Sequence, residues 1–153
     1  MTHDLRLADL DHPSVQTLLA LHFRAMHDAS PPGTAYVLDL SGLRRPDITV
    51  WAVWHEDQAI GLGALKALAP DHGEVKSMRT HPDALGQGVG STIIEHIIAE
   101  AKARGMTRLS LETGYGAAFE PALNLYRRRG FVQGQAFADY RPSDFNQFLH
   151  LDV

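Results

Sequence analysis

The stretch Ala84-Leu-Gly-Gln-Gly-Val-Gly-Ser91 decides how this chain folds, because it joins a strand-like run to a strongly amphipathic helix. Glycine at three alternate positions (Gly86, Gly88 and Gly90) allows positive φ and lets main-chain N–H groups approach a ligand closely. A helix that begins after such a loop adds unpaired N–H groups and the positive end of its dipole. This combination favours phosphate binding. The alternative is a tight turn between a strand and a helix.

The G-x-G-x-G spacing of this loop differs from the two best-known nucleotide-binding motifs. A P-loop needs a lysine directly before Ser91, and Gly90 stands there instead. A dinucleotide-binding fold needs G-x-G-x-x-G, with an acidic residue about twenty positions later. The spacing therefore predicts a pyrophosphate site that works without lysine or magnesium.

Length and composition predict one globular domain over residues 1–153, with 44% hydrophobic and 21% charged residues. The net charge of −4 and the scattered basic residues argue against a nucleic-acid partner. No apolar run approaches the roughly 18 residues of a membrane span. Without cysteine, disulfides, thiolate metal sites and covalent cysteine intermediates are excluded. Because no signal-type segment is present, we expect a bacterial cytoplasmic protein.

Hydrophobic periodicity predicts a mixed sheet with helices on both faces. Strands are expected at residues 5–10, 49–54, 59–67, 73–80, 107–112, 131–137 and 148–152, and helices at 11–29, 36–43, 88–104 and 121–129. The polar turn between the second and third strands predicts an antiparallel hairpin. The strand–helix–strand order around residues 88–104 predicts a crossover to a parallel neighbour.

Four motifs in this order resemble the GNAT superfamily of acyl-CoA-dependent N-acyltransferases, and within it a bacterial group of the YsnE type. They are Glu74-Val-Lys-Ser-Met-Arg-Thr80, Gly86-Gln-Gly-Val-Gly90, Leu109-Ser-Leu-Glu-Thr-Gly114 and Pro121-Ala-Leu-Asn-Leu-Tyr-Arg-Arg-Arg-Gly-Phe131. The resemblance covers roughly residues 48–140, and more loosely the whole chain. It implies an α/β (α+β) three-layer sandwich with about six to seven strands and a splayed pair of parallel strands.

The resemblance also implies acetyl-CoA as co-substrate and a place for it. The pantetheine arm pairs with the main chain of Met78, Arg79 and Thr80, which the splayed strands leave without partners. The pyrophosphate meets the N–H groups of Gly86, Gln87, Gly88, Val89, Gly90 and Ser91. Leu85 departs from the family, which usually has Arg or Gln there, and this departure puts one phosphate contact in doubt.

Acetyl transfer to an amine needs a neutral amine, a polarised thioester carbonyl and a proton for the departing thiolate. With no cysteine, direct attack in a ternary complex is the simplest route. The resemblance implies that the phenol of Tyr126 faces the thiol and protonates it; the alternative is a core tyrosine bonded to the backbone. Glu74 and Glu112 are candidate bases through water, with Glu74 preferred, and the alternative for both is a solvated charge at a strand end.

The acceptor site is expected at the first helix and the segment 137–145. His22 is a candidate substrate residue on the apolar face of that helix, although a core histidine is the simpler interpretation. Arg79 could meet an acceptor carboxylate or pair with an acid on the sheet surface. No histidine pair with a supporting carboxylate has ligand spacing, so no metal is expected.

These observations predict an acetyl-CoA-dependent N-acetyltransferase that acts on the primary amine of a small molecule. Two alternatives stay open. One is a catalytically idle acyl-CoA-binding sensor, and the other is an enzyme that acetylates protein N-termini or lysines. A homodimer is a further expectation, because late strands in this fold often pair between subunits.

Overall fold

The computed structural model describes residues 3–33 and 35–153, which form a seven-stranded mixed sheet. In chain order its strands are β1 (Asp4–Leu7), β2 (Ile48–His55), β3 (Gln58–Ala69), β4 (His72–Thr80), β5 (Arg108–Gly114), β6 (Val132–Gly134) and β7 (Asn146–Asp152). They lie in the order β1-β2-β3-β4-β5-β7-β6, and each neighbouring pair is antiparallel except β4–β5. The predicted mixed sheet, with its early hairpin, is confirmed.

Helices pack on both faces of the sheet. They are α1 (Pro13–Asp28), α2 (Leu40–Leu43), α3 (Val89–Ala103) and α4 (Glu120–Arg128). One buried cluster joins α3 and α4 to the sheet around Ile93 and Leu123. A second cluster joins α1 and α2 to the opposite face around Leu18 and Leu43. The predicted three-layer sandwich is therefore confirmed. No helix among the described residues is long and apolar enough to cross a membrane.

Three elements, α2, β1 and β6, are much shorter than predicted. Helix α2 occupies only the last part of the range 36–43, because the carboxylate of Asp39 accepts the N–H of Gly42 at 2.8 Å and caps the helix there. The strands predicted at 5–10 and 131–137 shorten to β1 and β6. Both are edge strands, which gain hydrogen bonds from one neighbour only.

The parallel strands β4 and β5 separate after a short paired stretch. Their last pair is Glu74 with Ser110, although β4 continues to Thr80 and β5 to Gly114. The main chain beyond that pair therefore lacks a neighbouring strand on this side. This is the splayed pair that the resemblance implied, and it opens the sheet from one face to the other.

A bulge in β4 changes which face its last side chains occupy. Lys76 pairs with Ala64 and Arg79 with Leu62, so two residues of β4 lie opposite the single residue between those partners. The first of the two, Ser77, has φ 58°, in the left-handed region. Because of this extra residue, Arg79 lies on the same face as Lys76, beside α1.

Candidate active site

A cavity of about 610 Å³ lies at the open end between β4 and β5. Both outer layers line it, because residues of α1 and of the segment 35–38 on one face meet residues of α3 and α4 on the other through the gap in the sheet. Of the residues predicted for the site, all but Gln87 line this cavity: His22, Glu74, Met78, Arg79, Thr80, Gly86, Gly88, Val89, Gly90, Ser91, Glu112 and Tyr126. The fold thus brings together residues from five elements, α1, β4, α3, β5 and α4, and from the loop before α3.

The glycine-rich loop forms one wall of the cavity and leads directly into α3. Gly86 and Gly88 have φ of 76° and 78°, which side-chain-bearing residues rarely adopt. Gly88 is the N-cap of α3 and provides no side-chain hydrogen bond to the first turn. The first N–H groups of α3 are therefore left for a ligand, and the positive end of the helix dipole favours an anion there.

The remaining loop positions have different roles. A Cβ at Gly90 would lie 3.1 Å from Leu125, so glycine here allows α4 to approach α3. The carbonyl of Gln87 lies 2.8 Å from the Nε2 of His3, which ties the loop to the chain start. The side chain of Leu85 is 67% exposed and makes the rim of the cavity. Its apolar side chain adds no charge to this end of the cavity.

Tyr126 of α4 is buried among the core residues of the α3 layer, with its ring 5.8 Å from that of Phe131. Its hydroxyl has no hydrogen-bond partner within residues 3–33 and 35–153, and it lines the cavity. A tyrosine with a purely structural role would normally satisfy its hydroxyl within the protein. Burial raises the pKa of Tyr126, while the charge of Arg79 acts in the opposite direction.

Glu74 is buried and belongs to a compact polar cluster with Lys76 and Tyr140. The Tyr140 hydroxyl donates to the Glu74 carboxylate and accepts from Lys76 Nζ at 2.6 Å. Lys76 Nζ also lies 3.3 Å from the Glu74 carboxylate. Burial, followed by the nearby Glu74 carboxylate, raises the pKa of Tyr140. The negative charge of Glu74 is thus balanced by the positive charge of Lys76 within the cluster.

Glu112 projects from β5 into the same cavity and is less firmly held than Glu74. Burial raises its pKa to about 7, and a hydrogen bond from Asn146 and the charge of Lys76 oppose this rise only in part. At neutral pH, Glu112 therefore exists in comparable amounts with and without its proton. A carboxyl group in this state can accept a proton far more effectively than one with an ordinary pKa.

His22 and Arg79 form a hydrogen-bonded pair on the α1 side of the cavity. The Nε–H of Arg79 donates to His22 Nδ1 at 2.9 Å. Burial, and then the charges of Arg79 and Lys76, lower the pKa of His22 to about 3. His22 is therefore neutral near pH 7, carries its proton on Nε2, and fixes the orientation of the Arg79 side chain.

Sequence reasoning did not assign Lys76 or Tyr140 to the site. Lys76 lies inside the motif of residues 74–80, and Tyr140 lies in the segment 137–145, which is predicted to shape the acceptor site. Tyr36 also lines the cavity, and its ring packs edge-on against Tyr140 at 5.1 Å. The described residues contain no group of three His, Cys, Asp or Glu side chains that could hold a metal ion.

The comparisons with known proteins agree with this geometry. Residues 13–131 match the Acetyltransferase (GNAT) family. The chain is 46% identical to the uncharacterized N-acetyltransferase YedL of Escherichia coli (strain K12), over 97% of this chain and 94% of that protein. It is also 46% identical to the uncharacterized N-acetyltransferase YsnE of Bacillus subtilis (strain 168), over 95% and 96%. A candidate acyl-CoA N-acyltransferase of Klebsiella pneumoniae superposes with a TM-score of 0.82 at 26% identity, covering 99% of this chain and 97% of that one.

Proposed function

Because the chain belongs to the Acetyltransferase (GNAT) family and is an acetyltransferase, we propose that it moves an acetyl group from acetyl-CoA to the primary amine of a small molecule. The main observation in support of this proposal is the continuous cavity between the splayed strands. It joins a loop suited to phosphates at one end to a carboxyl group with a pKa near neutrality at the other.

The coenzyme is proposed to enter from the α3 side. Its pyrophosphate binds the free N–H groups of the loop and of the first turn of α3, in residues 86–91. Its pantetheine arm lies along Met78, Arg79 and Thr80, where β4 has lost its neighbour β5. Main-chain groups there need hydrogen-bond partners, and an amide-containing arm supplies them.

Glu112 is proposed as the base that neutralises the amine. An alkyl ammonium has a pKa of about 10.4, and an ordinary glutamate one of about 4.3, so direct transfer would be uphill by about 6 pKa units. A Glu112 pKa of about 7 reduces this gap to about 3 to 4 units. Glu74, the carboxylate preferred from sequence, is held by Lys76 and Tyr140 and fits a positioning role better.

The thioester carbonyl is polarised, in this proposal, by a main-chain N–H in the segment 78–80. The bulge at Ser77 interrupts the regular ladder with β3 and leaves an extra residue unpaired. An N–H fixed in a buried cavity stabilises the oxyanion without reorganising as charge develops. Glu112 first releases the proton of the ammonium to solvent. The C–N bond then forms and the C–S bond breaks, while the second proton of the attacking nitrogen passes to the Glu112 carboxylate.

Tyr126 is proposed to stabilise the departing thiolate. A thiol has a pKa of about 8.5, so a phenol with a pKa above 10 transfers its proton to a thiolate only uphill. The free hydroxyl is better suited to donate a hydrogen bond to the sulfur as negative charge develops. The proton that converts the thiolate into free coenzyme A comes from Glu112 or solvent.

Release of free thiol from acetyl-CoA in the presence of a panel of primary amines tests this function. We expect amine-dependent release whose kcat/KM rises through a pKa near 7. The Glu112→Gln variant should lose that inflection, and Glu74→Gln should keep it. Binding of acetyl-CoA without thiol release on any amine would instead support the sensor alternative.

A further inference from the structure

Arg79 is a partly buried cation that forms no ion pair with a carboxylate in the described part of the chain. Its Nε–H donates to neutral His22, but its two terminal nitrogens have no acceptor within residues 3–33 and 35–153. Six other arginines in this part of the chain do form ion pairs with carboxylates: Arg6, Arg44, Arg45, Arg104, Arg127 and Arg129. Arg79 is more buried than an ordinary surface arginine, and it faces the cavity rather than bulk solvent.

The charged groups around Arg79 do not neutralise the positive charge of its guanidinium. The neighbouring cation Lys76 is matched by Glu74 through the Tyr140 cluster. Burial lowers the pKa of the Arg79 guanidinium, and among the described residues the group that opposes this is Tyr126 rather than a carboxylate. Leaving a buried charge unpaired is expensive, so this end of the cavity favours a ligand that carries an anion.

The coenzyme phosphates are poorly placed to be that anion. The side chain of Thr80 points toward the glycine-rich loop, with its Oγ1 3.8 Å from where a Cβ on Gly90 would lie. Arg79 points to the opposite face, where its partner His22 lies on α1. The phosphate-binding end and the Arg79 guanidinium are thus on different sides of β4.

We propose that the acceptor is an amino carboxylate, whose carboxylate is bound by the terminal nitrogens of Arg79 while His22 holds the guanidinium in place. This inference rests on the proposed acetyl transfer and names its substrate class. The planar guanidinium matches a carboxylate with two parallel hydrogen bonds. Met26, one turn after His22 on α1, and Tyr36, whose ring packs against Tyr140, line the same cavity and provide apolar contacts for the rest of the molecule. The class is therefore an amino acid with an apolar side chain.

A matched series of acceptors tests this directly: L-leucine, L-leucinamide and 3-methylbutylamine. All three carry the same apolar group and a primary amine, and only leucine has the carboxylate. We expect kcat/KM for leucine to exceed both others by at least about tenfold, the size of a charge-assisted pair. In Arg79→Gln the ratio of kcat/KM for leucine to that for each other acceptor should fall to near one. Arg79→Lys should keep only part of the wild-type ratio, because lysine lacks the planar guanidinium group that forms two parallel hydrogen bonds.

Calorimetric binding of the three compounds to the coenzyme A complex separates failure of the inference from failure of the proposed function. Turnover of the amide and the amine as good as that of leucine would overturn the inference and leave acetyl transfer standing. Binding of leucine that depends on Arg79, without turnover, would support the inference against the proposed function. Absence of leucine binding would also overturn the inference. So would an Arg79→Gln variant that loses affinity for acetyl-CoA but keeps the wild-type preference among the three acceptors.

Discussion

The two ends of the cavity are built in different ways. The end proposed for the coenzyme (the coenzyme end) consists of main chain: glycines at positive φ, the free N–H groups of α3 and the unpaired edge of β4. The end proposed for the acceptor (the acceptor end) consists of side chains, brought together from α1, β4, β5 and the segment 137–145. The first depends on backbone conformation, and the second depends on burial and charge.

This difference determines which substitutions should affect each end of the cavity. A main-chain site tolerates exchange of side chains as long as the backbone keeps its φ angles, so acetyl-CoA binding should survive most substitutions at the acceptor end. A side-chain site is altered by single exchanges, because each removes a charge or a hydrogen bond. If the two ends are separable in this way, a substitution at one end should leave the function of the other end unchanged.

Glu112→Gln should have the largest effect, because it removes the proposed base. We expect kcat/KM to fall about 100-fold at pH 8, with no inflection near pH 7 and unchanged affinity for acetyl-CoA. The measurement is the pH profile of thiol release. Glu100→Gln, on the far end of α3 where Glu100 pairs with Arg104, is the control and should behave as wild type.

The same substitution should stabilise the folded protein at alkaline pH. The pKa of Glu112 is raised in the folded state, so its contribution to stability is fully present below about pH 4.3 and is lost as the pH rises through 7. Thermal unfolding should therefore show Glu112→Gln melting several degrees above wild type at pH 8 and close to it at pH 4. Equal melting temperatures at both pH values would contradict the raised pKa.

Tyr126→Phe should lower kcat about 10- to 30-fold and leave the KM for acetyl-CoA nearly unchanged, because one hydrogen bond to the developing thiolate is lost. Tyr115→Phe is the matched control, since the Tyr115 hydroxyl accepts from Gln133 outside this cavity. Steady-state kinetics on both variants check this. Equal kcat in wild type and Tyr126→Phe would remove Tyr126 from the mechanism.

Gly88→Ala tests the coenzyme end. Alanine at φ 78° costs about 1 kcal/mol and disturbs the N–H groups at the start of α3. Gly105→Ala is a close control, because Gly105 has φ 82° and open space around its Cβ position at the other end of α3. Both should lose similar stability in urea unfolding. Only Gly88→Ala should weaken acetyl-CoA binding, about 5-fold by calorimetry, and neither should change the acceptor preference.

Leu85→Arg should have the smallest effect, a gain of about 2- to 4-fold in acetyl-CoA affinity at low salt, which fades at high salt. Val132→Arg adds the same charge at a position of equal exposure on β6 and should leave binding unchanged. A larger gain from Leu85→Arg that persists at high salt would show that the loop main chain contributes less than this account requires.

Much of the fold and the conformation of the glycine-rich loop could be predicted because their signals are local. Six consecutive residues, 86–91, determine the loop, and the apolar stripe of α3 follows directly after them. The order of strands around α3 then fixes the parallel pair β4–β5.

The acceptor end could not be predicted to the same depth, because its properties arise from long-range packing. Simple alternation along β4 would place Arg79 and Lys76 on opposite faces, and the bulge at Ser77 brings them together. A serine at positive φ gives no sequence signal of the kind that glycine gives. The raised pKa of Glu112 likewise depends on burial that the residues around it in sequence do not reveal.

Calorimetric titration of the protein with acetyl-CoA and with S-acetylpantetheine tests the central claim most directly, namely that the main chain of residues 86–91 binds the coenzyme through its pyrophosphate. Both compounds carry the thioester and the pantetheine arm, and only the first carries phosphates. We predict that acetyl-CoA binds at least about 100-fold more tightly, and that Gly88→Ala narrows this ratio. Equal affinity for the two compounds, or a ratio unchanged in Gly88→Ala, would contradict the account.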